Sequence, residues 1–121
     1  MQMVMFVLDN PNQLDEVLAA WRTVGVSGVT IVESTGFHRR RAYVLGARHV
    51  ASTAALTEQI AAGHYTLFAV VPDVEAAQEC LHVTESVVGD LDDQNTGIFV
   101  AWETTMTKGV LNYLLRPEEE Q

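Results

Sequence analysis

The chain has little of what several protein classes require. One cysteine in 121 residues, Cys80, can form neither an internal disulfide nor a cysteine-based zinc site, so nothing points to a disulfide-built secreted scaffold. Seven Lys and Arg stand against sixteen Asp and Glu, a formal net charge of −9. Phosphate-backbone recognition draws its affinity from cations, so nucleic acid is not an expected partner. No apolar run approaches the roughly 20 residues of a membrane-spanning helix. Residues 1–9 read MQMVMFVLD, without the basic segment that opens a signal peptide. A cytoplasmic protein without membrane insertion is expected.

What is present fits one globular domain: 48% hydrophobic and 19% charged residues. A chain this long hides about 65% of its unfolded surface on folding, so burial against a further copy would help. Residues 3–8 form a continuous apolar run bounded by Asp9, Asn10 and Pro11, the pattern of a strand buried on both faces. Asn10, with Pro11 next and Gln13 three positions on, reads as a capping box. The following helix reaches Val24, with Leu14, Val17, Leu18, Trp21 and Val24 on one stripe and Gly25 as its stop. Residues 29–33 are a β-branched second strand that Gly36 breaks. The pattern then repeats. Residues 65–71 are a strand, Pro72 and Asp73 start a helix with Val74, Ala77, Cys80, Leu81, Thr84 and Val88 on one face, and residues 98–102 are the last strand. Two βαβ units predict an α+β, ferredoxin-like βαββαβ fold: a four-stranded antiparallel sheet with both helices on one face. The other face is left for an oligomer to cover.

A plain hairpin between the second and third strands needs about two to five residues, whereas residues 34–64 separate them here. This insert holds Arg39, Arg40, Arg41 and Arg48, four of the seven Lys and Arg. A short helix with Leu56 and Ile60, capped by Ser52 or Thr53, fits inside it. The Arg39-Arg40-Arg41 run beside His38 can give charge-assisted hydrogen bonds to phosphate or carboxylate, or simply form a solvated segment of an acidic protein. Gly36 and Phe37 suit a turn where a ligand approaches the backbone. Gly89 and Asp90 suit a second such turn, with Asp90 as a hydroxyl or metal partner, or a plain helix stop. His38, His49, His64 and His82 form no spaced pair of the zinc-motif kind, and no metal is expected. Cys80, Trp21 and Trp102 read as core or interface residues. Asp9 with Asp15, and Asp92 with Asp93, read as caps and turns rather than catalytic pairs. The domain is taken as residues 1–115, including a short apolar stretch from Val110 to Leu115, followed by an acidic tail at 116–121.

In order along the chain, Leu14-Asp15-Glu16-Val17, Gly25-Val26-Ser27-Gly28-Val29-Thr30, Glu33-Ser34-Thr35-Gly36-Phe37, Val70-Val71-Pro72-Asp73 and Gly97-Ile98-Phe99-Val100 resemble the PII (GlnB-like) family of signal-transduction proteins over roughly 110 residues. The resemblance is to a divergent, PII-like member. It implies a regulatory homotrimer, not an enzyme, that binds an adenine nucleotide (ATP, ADP, AMP or a cyclic nucleotide) in clefts between subunits. It also implies a mobile T-loop, here residues 34–64, that docks on a target protein such as a membrane transporter or an enzyme. Thr30 would meet the adenine edge, His64 stands near a phosphate-contacting lysine of the family, and Lys108 is what remains of a later pair of arginines. The family's phosphate-holding B-loop corresponds to residues 88–97, which lack its lysine and carry extra carboxylates. The tyrosine modified in members of the family aligns with Val44, next to Tyr43. A CutA-like metal-responsive trimer and a small ferredoxin-like enzyme with an open-face site are the alternative readings. Bound metal would mark the first, and a convergent acid, base or nucleophile the second.

Overall fold

The computed structural model describes residues 1–26, 28–35, 64–93 and 96–110. The residues of the short helix expected in the insert, with Gly36, Phe37, His38, Arg39, Arg40, Arg41, Tyr43, Arg48, His49 and everything from residue 111 on, lie outside the described residues.

The described chain runs β1 (Gln2–Leu8), a 3-10 turn (Pro11–Gln13), α1 (Leu14–Thr23), β2 (Val29–Ser34), β3 (His64–Val71), α2 (Val74–Val88) and β4 (Gly97–Glu103). The sheet order is β2-β3-β1-β4 with every neighbouring pair antiparallel, which is the ferredoxin-like α+β arrangement. The C-terminal ends of β1 and β2 and the N-terminal ends of β3 and β4 therefore share one edge of the sheet.

Register divides the strand residues between two faces. Val4, Phe6 and Leu8 of β1, with Leu67, Ala69 and Val71 of β3, are buried on the helix side. There they meet Val17 and Trp21 of α1 and Ala77 and Cys80 of α2. Phe6 is the aromatic centre, tilted against Trp21 at 6.5 Å and Phe99 at 6.4 Å between ring centroids. Trp21 donates its indole N–H to the Thr84 hydroxyl at 2.8 Å, and that hydroxyl donates to the Cys80 carbonyl at 2.6 Å. The threonine hydroxyl thereby accepts from the buried indole and donates within its own helix, so neither side chain is left without a partner.

The strand read as buried on both faces is buried on one: along β1, buried positions alternate with half-buried ones. The partly covered residues Met3, Met5 and Val7 lie in register with Trp102, Val100 and Ile98 on the helix-free face. Ile98 is 60% exposed, Trp102 44% and, at the far margin, Val32 45%.

Local chemistry sets the helix ends. Asn10 caps the 3-10 turn, accepting from the Asn12 N–H at 3.0 Å, but Gln13 does not complete a capping box. Its side chain instead donates to the Val87 carbonyl of α2 at 3.3 Å, because packing of the two helices offers an acceptor that an isolated helix lacks. Gly25, at φ +88°, ends α1: its N–H reaches the Arg22 carbonyl and the Val26 N–H reaches that of Trp21. This is a Schellman closure, and it turns Val26 into the core. Asp73 caps α2 through the Ala76 N–H at 2.8 Å. Val74, assigned to the buried stripe from spacing, is 53% exposed; it lies in the first turn, before α2 settles against the sheet.

Candidate functional site

Among the described residues, the edge from which the insert leaves carries a cluster of polar contacts. Ser34 and His64 are the last register pair of β2 and β3 and form the two stems of the insert. The Ser34 hydroxyl lies 2.9 Å from His64 Nδ1, 2.9 Å from the Thr66 hydroxyl and 3.3 Å from the His64 carbonyl. A hydroxyl has one proton to give, so three neighbours make Ser34 the hub of a clasp rather than a nucleophile with one dedicated base. His64 is buried. The clasp holds the stems together, and lengthening a loop closed at its base adds little entropy cost.

The turn after α2 borders the same edge. Gly89 takes φ +93°, and its N–H closes on the Glu85 carbonyl at 2.9 Å. Beyond it, the Leu91 N–H donates to the Glu85 carboxylate at 3.0 Å and the Asp92 N–H to the Asp90 carboxylate at 2.9 Å. The Asp93 N–H donates to the Asp90 carbonyl at 3.0 Å. Thr96 pins the turn from the other side, its one hydroxyl proton shared between the Asp90 and Asp93 carbonyls at 3.1 and 3.0 Å. Gly97, at φ +131°, begins β4 where any side chain would collide with the Val7 carbonyl and press on the Phe6 ring. Asp92 and Asp93 are exposed, as solvated turn residues should be.

The sequence-derived residues thus fall into two groups. His64, Gly89 and Asp90 lie at the insert edge. Lys108 lies beyond the other end of β4, on a segment fastened to the start of β1 by the Thr104 N–H and hydroxyl, which donate to the Met1 carbonyl at 3.0 and 3.2 Å. The Thr104 and Thr107 hydroxyls, 2.7 Å apart, tighten that segment further. Thr30 is exposed near the start of β2, also toward the far edge, in register with Phe68. Seven residues of β4 span about 20 Å, too far for one small ligand to touch both edges of one protomer. Gly36, Phe37, His38 and the three consecutive arginines lie outside the described residues.

Sequence reasoning missed Ser34, Thr66 and Glu85. Ser34 reads as a polar strand end and Thr66 as an ordinary alternating strand position, and only the pairing of β2 with β3 makes them a cluster. Glu85 carried a signal: an acidic residue in the last turn opposes the helix dipole and so calls for a local reason. That reason is the Leu91 N–H.

Cys80 is set by the core. Burial pushes its thiol up to about 12, and a hydrogen bond with Thr84 offsets part of that rise. It is an inert packing group, not a nucleophile. Among the described residues, no group of three or more His, Cys, Asp or Glu side chains could hold a metal ion, and no helix is long and apolar enough to cross a membrane. Compared with known proteins, the chain matches no family model and no curated protein.

Proposed function

We propose that the chain is a PII-like regulatory protein, not an enzyme, that binds a small anionic effector in clefts between the subunits of a homotrimer and reports it to a target protein through residues 34–64. The effector class is an adenine nucleotide. The carrying observation is the division of the candidate residues: His64, Gly89 and Asp90 at the insert edge, Thr30 and Lys108 toward the other. A complete site then needs neighbouring copies, and the apolar helix-free face supplies a surface for them to share.

The charge distribution supports the same reading. Four of the chain's seven cations are in the insert, so an anion near its stems would meet the main source of positive charge in an acidic protein. Ordering of the insert on an anion, and its release without one, would couple ligand to partner without chemistry. Calorimetric titration of the full chain with ATP, ADP, AMP, cyclic nucleotides and bicarbonate tests this. Saturable heat with at least one nucleotide is expected, and silence from all of them at millimolar concentration would overturn the reading.

A further inference from the structure

We propose that the thioethers of Met3 and Met5 on the helix-free face bind a soft monovalent cation, Cu(I) or its analogue Ag(I), beside the indole of Trp102. The proposed site lies apart from the insert edge and does not depend on an effector there.

The sulfur of the chain belongs to four methionines and one cysteine. Cys80 is withdrawn into the helix layer, where burial keeps its thiol protonated. The four thioethers gather on the opposite face or toward the edge away from the insert. Met3 and Met5 alternate along β1 with the buried Gln2, Val4 and Phe6, so both project from the helix-free side. Met1 comes one step earlier in the same alternation, and its carbonyl is fastened by Thr104. Met106 follows on that fastened segment, between Thr104 and the Thr107 hydroxyl that meets it, and it is 88% exposed.

The spacing of Met3 and Met5 suits two donors for one ion. Two residues of strand advance about 6.7 Å, and methionine side chains, long, unbranched and flexible, can bend from either side toward an ion between them. Register sets the surroundings. Met3 pairs with Trp102 on one side and Val70 on the other, and Met5 with Val100 and Phe68. The two thioethers therefore stand among apolar side chains with an exposed indole alongside. Indole is the aromatic group that attracts a cation most strongly, so it adds to what the sulfurs supply.

Donor chemistry selects the ion. Thioethers are soft and uncharged, which suits Cu(I), whereas Zn(II), Mg(II) and Ca(II) take imidazole, thiolate or oxygen ligands. Among the described residues, no cluster of His, Cys, Asp or Glu offers that second set. The formal charge of −9 favours cations around the whole chain. A thioether also has no proton to lose, so this site, unlike one of thiols or histidines, should hold its ion equally well across neutral pH. In a trimer built on this face, the ion would lie where copies meet.

The test is titration of the full chain with Cu(I), kept reduced by ascorbate under nitrogen, against the chromophoric competitor bicinchoninate, and with Ag(I) followed by tryptophan emission. Saturable Cu(I) binding and quenching by Ag(I) are expected, with affinity unchanged between about pH 6 and 8. Met3→Leu with Met5→Leu keeps the volume and apolar character of the face. The metal-free melting temperature should therefore hold while Cu(I) affinity falls by about tenfold or more. Trp102→Phe should abolish the quenching, since Trp21 lies on the other side of the sheet. No saturable Cu(I) binding, or binding undiminished in the double leucine variant, would overturn the proposal. So would an affinity that rises with pH as histidine loses its proton, because that would assign the ion to imidazole.

Discussion

The two faces of this sheet are built from similar residues and meet different surroundings. On the helix side, Val4, Phe6 and Leu8 are fully buried and every polar atom of the Trp21–Thr84–Cys80 chain has a partner. On the other side, Met3, Met5 and Val7 alternate with them along the same strand, yet they join Ile98, Val100 and Trp102 in an apolar surface still open to water. Hydrophobicity alone does not separate the faces. The difference teaches that helix placement decides which apolar residues stabilise the protomer and which remain available for association.

The largest contrast should appear between the two tryptophans. Trp21→Ala empties a fully buried site and should lower the unfolding free energy by about 3–5 kcal/mol in a urea titration. Trp102, 44% exposed in the protomer, should cost less on replacement by alanine, and under the proposed trimer that loss should grow with protein concentration. Equal losses at every concentration would erase the distinction between the faces. Thr84→Val is the next test. It keeps the shape but leaves the Trp21 N–H without its acceptor, at a cost of about 1–3 kcal/mol, and near-neutral stability would show that another group replaces the hydroxyl.

Cys80 reports the dryness of the helix side through pH. Its folded value lies near 12, above the 9.0 of an unperturbed thiol. Below pH 9 both states are protonated and the stabilisation is fully present. Above it the unfolded thiol ionises while the folded one does not, so stability falls as pH rises toward 12. The folding equilibrium should lose roughly tenfold per pH unit in that window, a slope that Cys80→Ala removes. An unchanged slope in Cys80→Ala would mean that the thiol is not the titrating group. The smallest stability effect belongs to the insert. Replacing Arg39, Arg40 and Arg41 with alanine should change the unfolding free energy by less than about 1 kcal/mol. Effector affinity should nevertheless fall by about tenfold or more, since even one charge-assisted hydrogen bond is worth that much. Unchanged affinity with an unchanged melting curve would make the run a solvated segment.

Much of the architecture was legible because it rests on local signals. The apolar run at 3–8, the glycine stop at Gly25 and the Pro72-Asp73 start each mark an element within a few residues, and two βαβ units leave few sheet orders to choose from. What was not legible depends on neighbours far along the chain. Gln13 trades a capping box for a carbonyl of α2, and Val74 sits on the periodic stripe but precedes the packed part of its helix. Ser34, His64 and Thr66 become a cluster only when β2 pairs with β3. The turn after α2 showed its charge in sequence, but not that its carboxylates consume its own N–H groups.

The measurement that bears most directly on the contrast between the faces is the mass of the particle in solution. Sedimentation equilibrium of the full chain should give three times the 13.3 kDa chain mass. A variant carrying Ile98→Asp and Trp102→Glu, which places charge on the helix-free face without touching the helix side, should sediment as a single chain with its helical circular dichroism intact. An unaltered protein that sediments at 13.3 kDa, or a variant that remains trimeric, would contradict the assignment of this face to self-association.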